Sequence, residues 1–262
     1  MAAPPSRWRG LLTVPRLVAA AALTTLVGLG TTLAFTAVQQ QLTARDPLTW
    51  TVQRNPALVG SFAPFHIEAL LPAGSRPTTG PGPFCDGFQP WAHQHDGIDA
   101  GTTRLQIVLQ GRSTSPLLIT NARAVVVGEE TPGPGIAVQC PPAGDVELRP
   151  LSIDLEGPGR QAVYESTTGR DFGFTLAEGE IESFLITATA RTATYSWNLE
   201  LTVVVGDESR TVLIDDGGRP FRTTQPLSDP IWQWDYEGSW TYFGVDESVS
   251  VPAGGDLAGG PP

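Results

Sequence analysis

The sequence contains no lysine, because all 16 of its lysine-or-arginine positions are arginine. This absence excludes every lysine chemistry, including a lysine nucleophile, a Schiff base with a carbonyl substrate and a lysine–asparagine crosslink. A coding bias toward arginine, as in high-GC bacterial genomes, accounts for the absence without a functional cause.

Charge of either sign is missing from residues 17–38, an apolar run with the sequence LVAAAALTTLVGLGTTLAFTAV. About 20 such residues span the hydrocarbon core of a bilayer as a helix, because every backbone polar group must be satisfied within the segment. The preceding residues include three arginines, Arg7, Arg9 and Arg16, and no acidic residue precedes Asp46. This flank favours a cytoplasmic N-terminus. We therefore predict a cytoplasmic segment over residues 1–16 and a single-pass helix over residues 17–38 that anchors the protein in the cell membrane.

A cleavable signal peptide is the alternative interpretation of the same segment. Signal peptides have a shorter apolar region of ~7–15 residues that ends at a small-x-small cleavage site. Here the run is longer, and its best cleavage site, Thr32-Leu33-Ala34, matches that pattern poorly. The pattern favours an uncleaved anchor.

The part of the chain from Gln39 onward is acidic, with 13 arginines against 27 acidic residues and a formal net charge of −14. Nucleic acids and anionic lipid surfaces require a basic partner surface, so this charge argues against both as ligands. Solubility outside the membrane is the simplest reason for it.

Cysteine is scarce, and the two that occur, Cys85 and Cys140, both lie on the predicted extracytoplasmic side. That environment is oxidising, which favours a disulfide bond between them over two free thiols. The bond would close a loop of ~55 residues and contribute about 3–4 kcal/mol in the chain-entropy model.

No helical stripe is evident after the membrane segment, and apolar residues alternate with polar ones instead. In TYSWNLELTVVVG, every second residue from Tyr195 to Val205 is apolar, which is typical of a half-buried strand. VGDES near Gly206 and DDGG at 215–218 are turn signals, and Asp-Gly favours hairpins. The pattern predicts an all-β fold, an antiparallel β-sandwich of Ig-like or jelly-roll-like type with ~8–10 strands. We place a stalk at residues 39–48, the sandwich at 49–247 and a disordered tail at 248–262.

Two of the three histidines, His93 and His95, lie close together in a long Pro- and Gly-rich region with Asp99 nearby. On a strand, residues two apart point to one face, as metal ligands do, and zinc accepts two histidines and a carboxylate. The spacing resembles the first motif of the cupin family. That family takes a further histidine from a later strand, and none follows His95. We therefore predict no metal site and no cofactor, and keep His93, His95 and Asp99 as weak metal candidates.

An aromatic segment, IWQWDYEGSWTYF, lies near the C-terminus. In an extended chain its rings fall on shared faces, and exposed rings stack on sugars or peptides. The same rings more often pack as cross-strand pairs. The candidate ligand-binding residues are Trp232, Trp234, Tyr236 and Trp240.

The arginine-flanked anchor, the strand around Trp197 and DDGGRPFRTT resemble those of uncharacterised single-pass membrane proteins of high-GC Gram-positive bacteria. The resemblance implies a membrane location and brings no activity.

The chain contains no Gly-x-Ser-x-Gly motif, and its cysteines are expected to bond to each other, so nucleophilic enzymes are poorly supported. Our first hypothesis is a non-enzymatic, extracytoplasmic binding module whose partner is an envelope protein or a cell-wall glycan, with no nucleic acid. The alternatives are a carbohydrate-binding module that uses the aromatic cluster and a metal-dependent enzyme built on the histidines.

Overall fold

The computed structural model describes residues 46–54, 67–141, 149–164, 172–228, 230–235, 237–244, 248–254 and 257. The chain divides into two compact units, Met1–Asp46 and Pro47–Pro262, and every described helix and strand belongs to the second. None of the helices in these ranges is long and apolar enough to cross a membrane. The predicted anchor at 17–38 lies outside the described residues and stays a prediction.

More than half of the described residues form strands, and they include a single α-helix. The elements are β1 Leu48–Gln53, β2 Ile67–Pro72, α1 Phe88–Gln94, β3 Ile98–Ala100, β4 Thr102–Gly111, β5 Leu117–Glu130, β6 Gly135–Cys140, β7 Arg149–Asp154, β8 Ala162–Tyr164, β9 Phe174–Leu176, β10 Ile181–Thr189, β11 Thr194–Val205, β12 Glu208–Ile214, β13 Phe221–Thr224, β14 Ile231–Trp234, β15 Ser239–Phe243 and β16 Ser248–Pro252. Two short 3-10 turns, Pro83–Cys85 and Pro158–Arg160, complete them. The all-β prediction is confirmed.

The strands form two sheets. The smaller sheet has the order β1-β4-β10-β7-β8, and the larger has the order β16-β15-β14-β6-β2-β3-β13-β11-β5-β9, with β12 also paired to β11. Most neighbours are antiparallel, but β10 with β7, β13 with β3 and β14 with β6 are parallel. The prediction of a purely antiparallel arrangement is therefore wrong. Alternation reports which face a strand buries, but it does not fix the direction of the neighbouring strand.

One hydrophobic core joins the two sheets. The alternating residues of β11 from Tyr195 to Val203 are all buried, as the period-two pattern predicts. They cluster with inward residues of β4 and β10 from the other sheet, including Leu105, Ile107 and Phe184. A second cluster surrounds the disulfide and the tryptophans of β14 and β15.

Two further predictions differ from the structure. Residues 248–252 form the edge strand β16, and Leu257 is buried, although both fall in the segment predicted as a disordered tail. DDGG at 215–218 does not close a hairpin, because β12 and β13 pair with the same side of β11. Ile214 pairs with Leu199 and Phe221 with Trp197, so the six residues between them loop out from the sheet. The turn at Gly206 is confirmed.

Candidate functional site

The disulfide pair fastens the long irregular region to the sheet. Cys85 lies in the first 3-10 turn and Cys140 ends β6, and their sulfur atoms are 1.91 Å apart. Both residues are fully buried. The connection between β2 and β3 is therefore held against β6 close to the start of α1.

The tryptophans of β14 and β15 also hold the connection between β2 and β3 against the sheet. Trp232, Trp234 and Trp240 are at most 3% exposed, so their rings offer no face on which a sugar could stack. Trp234 packs on Trp240 with ring centroids 5.0 Å apart, and its indole N–H donates to the carbonyl of Gly82 at 3.1 Å. A Cβ on Gly80 would lie 2.1 Å from the Trp234 ring, so only glycine fits there. The rings of Trp232, Trp234 and Trp240 therefore pack inside the fold, which is the interpretation that the sequence favoured over an exposed aromatic platform; Tyr236 lies outside the described residues.

The helix α1 separates the two histidines. His93 lies in its last turn, and His95 is its C-cap residue, so they do not share a strand face as the sequence suggested. His95 packs against Trp91 with ring centroids 5.3 Å apart, whereas His93 contacts Asp99. No group of three or more histidine, cysteine or acidic side chains in the described ranges is arranged to hold a metal ion. The weak metal candidate set is thus split, with His93 and Asp99 together and His95 apart.

A tight turn brings Asp99 back under the helix. Asp96 follows the helix with φ 59°, in the left-handed region in which helices often end. A Cβ on Gly97 would lie 2.7 Å from the carbonyl oxygen of Ala92, so the close return of the chain requires glycine. β3 then inserts between β2 and β13, where Asp99 pairs with Ala69 on one side and Thr223 on the other.

Asp99 is the centre of a charged cluster. Its side chain is fully buried, and its two oxygens contact Arg54 at 2.7 Å and His93 at 2.8 Å. The other terminal nitrogen of Arg54 contacts Asp216 at 2.7 Å. Arg54 also lies over the Phe221 ring, 5.5 Å from its centroid. The forked guanidinium therefore links the end of β1, the strand β3 and the loop between β12 and β13.

Electrostatics keeps Asp99 ionised despite its burial. Burial alone raises the pKa of its carboxyl, but the charge of Arg54, then that of His93, and hydrogen bonds from His93 and Thr103 outweigh burial. Together they hold the pKa of Asp99 at about 2, below its ordinary 3.8. An ionised carboxylate only accepts hydrogen bonds, so Nε2 of His93 is the donor in their contact.

We predict that ionisation of the Asp99 carboxyl makes the free energy of unfolding depend on pH in the acidic range. Because its pKa is lower in the folded state than in the unfolded state, its contribution is complete above pH ~4 and is lost as the pH falls toward 2. The loss is about 2 kcal/mol. Urea unfolding at several pH values should show the stability gap between the wild type and Asp99→Asn narrowing by that amount between pH 5 and 2. A constant gap would contradict the depressed pKa.

The cluster forms one wall of an open cavity of about 280 Å³. Its lining combines both charge signs and comes from the residue after β1, from α1 and its following turn, from the looped-out segment before β13 and from β13 itself. The residues are Arg54, His93, Asp96, Gly97, Asp216, Arg219, Pro220 and Arg222. An adjoining hollow of about 510 Å³ shares Arg54, His93, Asp96, Asp216 and Arg219.

The sequence marks His93 and Asp99, but it does not mark Arg54, Asp96, Asp216 and Arg219 as their neighbours. The DDGGRP segment is the available signal, and its pattern predicts a hairpin. Arg54 lies 45 residues before Asp99 and 162 before Asp216, and nothing in its local sequence marks it.

No protein-family model, no curated protein and no solved structure matches this chain.

Proposed function

We propose that the chain is a membrane-anchored, extracytoplasmic β-sandwich protein that binds a small polar ligand in the cavity beside Arg54 and His93. The cavity carries this proposal, because binding sites are concave and contain a few fixed polar groups. Arg54 is fixed by two carboxylates and His93 by one, so the lining is preorganised. The Ig-like or jelly-roll-like class remains our expectation for the two sheets around the shared core.

Binding is favoured over nucleophilic catalysis by the chemistry of the lining. Among the described residues that line the cavity there is no serine, threonine or cysteine. His93 next to Asp99 has the orientation of a general base, but a nucleophilic enzyme also needs a hydroxyl or thiol within its reach. Both cysteines lie buried in the second hydrophobic cluster.

The membrane anchor has its own test in intact cells. If residues 17–38 span the membrane with the N-terminus inside, external protease should remove a C-terminal tag and leave an N-terminal tag intact. Lysed cells are the control, because both tags should then be cleaved. The reverse protection pattern would contradict this topology.

The binding role is tested by the thermal unfolding of the full chain in detergent with a defined panel: glycine, acetate, methylammonium, phosphate and glucose. A ligand at a hundredfold excess over its dissociation constant should raise Tm by about 5–10 °C for a domain of this size. The shift should disappear in Arg219→Ala and persist in Arg112→Ala, an exposed arginine outside the cavity lining. If no member of the panel raises Tm in an Arg219-dependent way, the proposed binding role is wrong.

A further inference from the structure

Two lining groups of opposite charge have no partner among the described residues. The guanidinium of Arg219 and the carboxylate of Asp96 are exposed, and neither takes part in a hydrogen bond or ion pair there. Both line the cavity and the adjoining hollow. A charged group without a partner is available to a ligand at no cost in broken protein contacts.

The remaining charges of the lining are already engaged. Arg54 is shared by Asp99 and Asp216, and Arg222 pairs with Glu130. Breaking the Arg54 contacts would leave a buried charge unpaired, which is costly. Among the described lining residues, a ligand therefore meets one free cation, Arg219, and one free anion, Asp96, while the other charges are held by protein partners.

His93 adds a polar group whose hydrogen-bonding role is set by Asp99. Nε2 of His93 donates to the ionised carboxylate, 2.8 Å away. In a neutral imidazole the other nitrogen is then an acceptor. A neutral His93 thus offers Nδ1 to a ligand donor such as an ammonium group.

We propose that the cavity takes a small zwitterion that carries both an ammonium and a carboxylate group, that is, a free amino acid or a short peptide. Arg219 binds the carboxylate, because its planar fork matches two carboxylate oxygens. Asp96 accepts from the ammonium, and Nδ1 of His93 also accepts from it when the imidazole is neutral. At about 280 Å³ the cavity lies near the lower end of ligand pockets, which run from ~300 Å³. The larger hollow leaves room for the side chain or the next residue of a peptide. This inference rests on the proposed function and specifies its ligand.

The test is calorimetric titration of the full chain in detergent with glycine, acetate and methylammonium. Glycine should bind at least tenfold more tightly than either single-charge probe. Arg219→Ala and Asp96→Asn should each weaken glycine binding at least tenfold, and Arg112→Ala should leave it unchanged. Asparagine tolerates the left-handed backbone at residue 96, so Asp96→Asn removes the charge without straining the turn.

Three outcomes overturn the inference and remain distinguishable. Acetate that binds as tightly as glycine, with no effect of Asp96→Asn, would establish an anion site; the proposed binding role would stand and the zwitterion would be wrong. Methylammonium that binds as tightly as glycine, with no effect of Arg219→Ala, would establish a cation site that does not use Arg219; both the zwitterion and the Arg219-dependent binding role would then be wrong. Absence of binding by all three probes, together with absence of an Arg219-dependent Tm shift with the wider panel, would reject both the ligand class and the proposed function.

Discussion

Replacement of Asp99 by asparagine is expected to lower the free energy of unfolding by about 3–5 kcal/mol, the usual cost of breaking a buried ion pair on one side. The Arg54 side chain is only 10% exposed and would retain a single carboxylate, that of Asp216. His93 would lose its ionised acceptor as well. Urea unfolding followed by tryptophan fluorescence measures the change.

Asp154→Asn is the matched control for that substitution. Asp154 also pairs with an arginine, Arg191 at 2.9 Å, but its side chain is 46% exposed. Solvent and salt screen such a pair, so its loss should change stability far less. The double variant Arg54→Leu/Asp99→Leu should lose less free energy of unfolding than the single variants Arg54→Leu and Asp99→Leu lose in total. Each single variant leaves one member of the buried ion pair without the other, whereas the double variant removes both. An Asp99→Asn effect no larger than that of Asp154→Asn would contradict the buried cluster.

The second large effect is expected from the disulfide. Replacing both Cys85 and Cys140 by alanine should lower the free energy of unfolding by about 3–4 kcal/mol, because the unfolded chain regains the freedom of a long loop. The sulfurs are 55 residues apart in sequence and fully buried. The midpoint of urea unfolding should fall accordingly.

The control is urea unfolding of the wild-type protein in the presence of dithiothreitol. The reduced protein loses the crosslink but keeps both sulfur atoms in the core. Its stability should match that of the double alanine variant to within about 1 kcal/mol, the small cost of the missing sulfur atoms. Mass analysis without reductant should find the two cysteine peptides linked. Two thiols that alkylate in the unfolded, unreduced protein would contradict the bond and its stabilising effect.

The regular part of the fold could be predicted from sequence and the candidate site could not. The apolar residues of β11 alternate with polar ones from Tyr195 to Val203, and alternation arises from the backbone of a single strand. The cysteine pair was predictable because only one pairing exists. By contrast, α1 has only seven residues, too few for a periodic apolar stripe. Because His93 lies on this helix and His95 follows it, the two side chains do not share one face of a strand. The metal hypothesis depends on such a shared face.

The cavity itself depends on long-range pairings that no local pattern encodes. Parallel pairing of β3 with β13 brings Asp99 to Thr223, 124 positions apart by their residue numbers. The looped-out segment then delivers Asp216 to Arg54. In the sequence, polar residues such as Asp216 cannot be distinguished from the polar residues of an ordinary exposed turn. Only the order of the strands in the sheet places them around one cavity.

The most direct test of the cavity is nitrogen NMR of the histidine rings in the full chain in detergent. With three histidines in the chain, the His93 signals are assigned by their loss in His93→Gln. We predict that neutral His93 carries its proton on Nε2, and that saturating glycine shifts its Nδ1 resonance while Arg219→Ala removes the shift. A proton on Nδ1, or an unchanged His93 spectrum with glycine in large excess, would contradict the account.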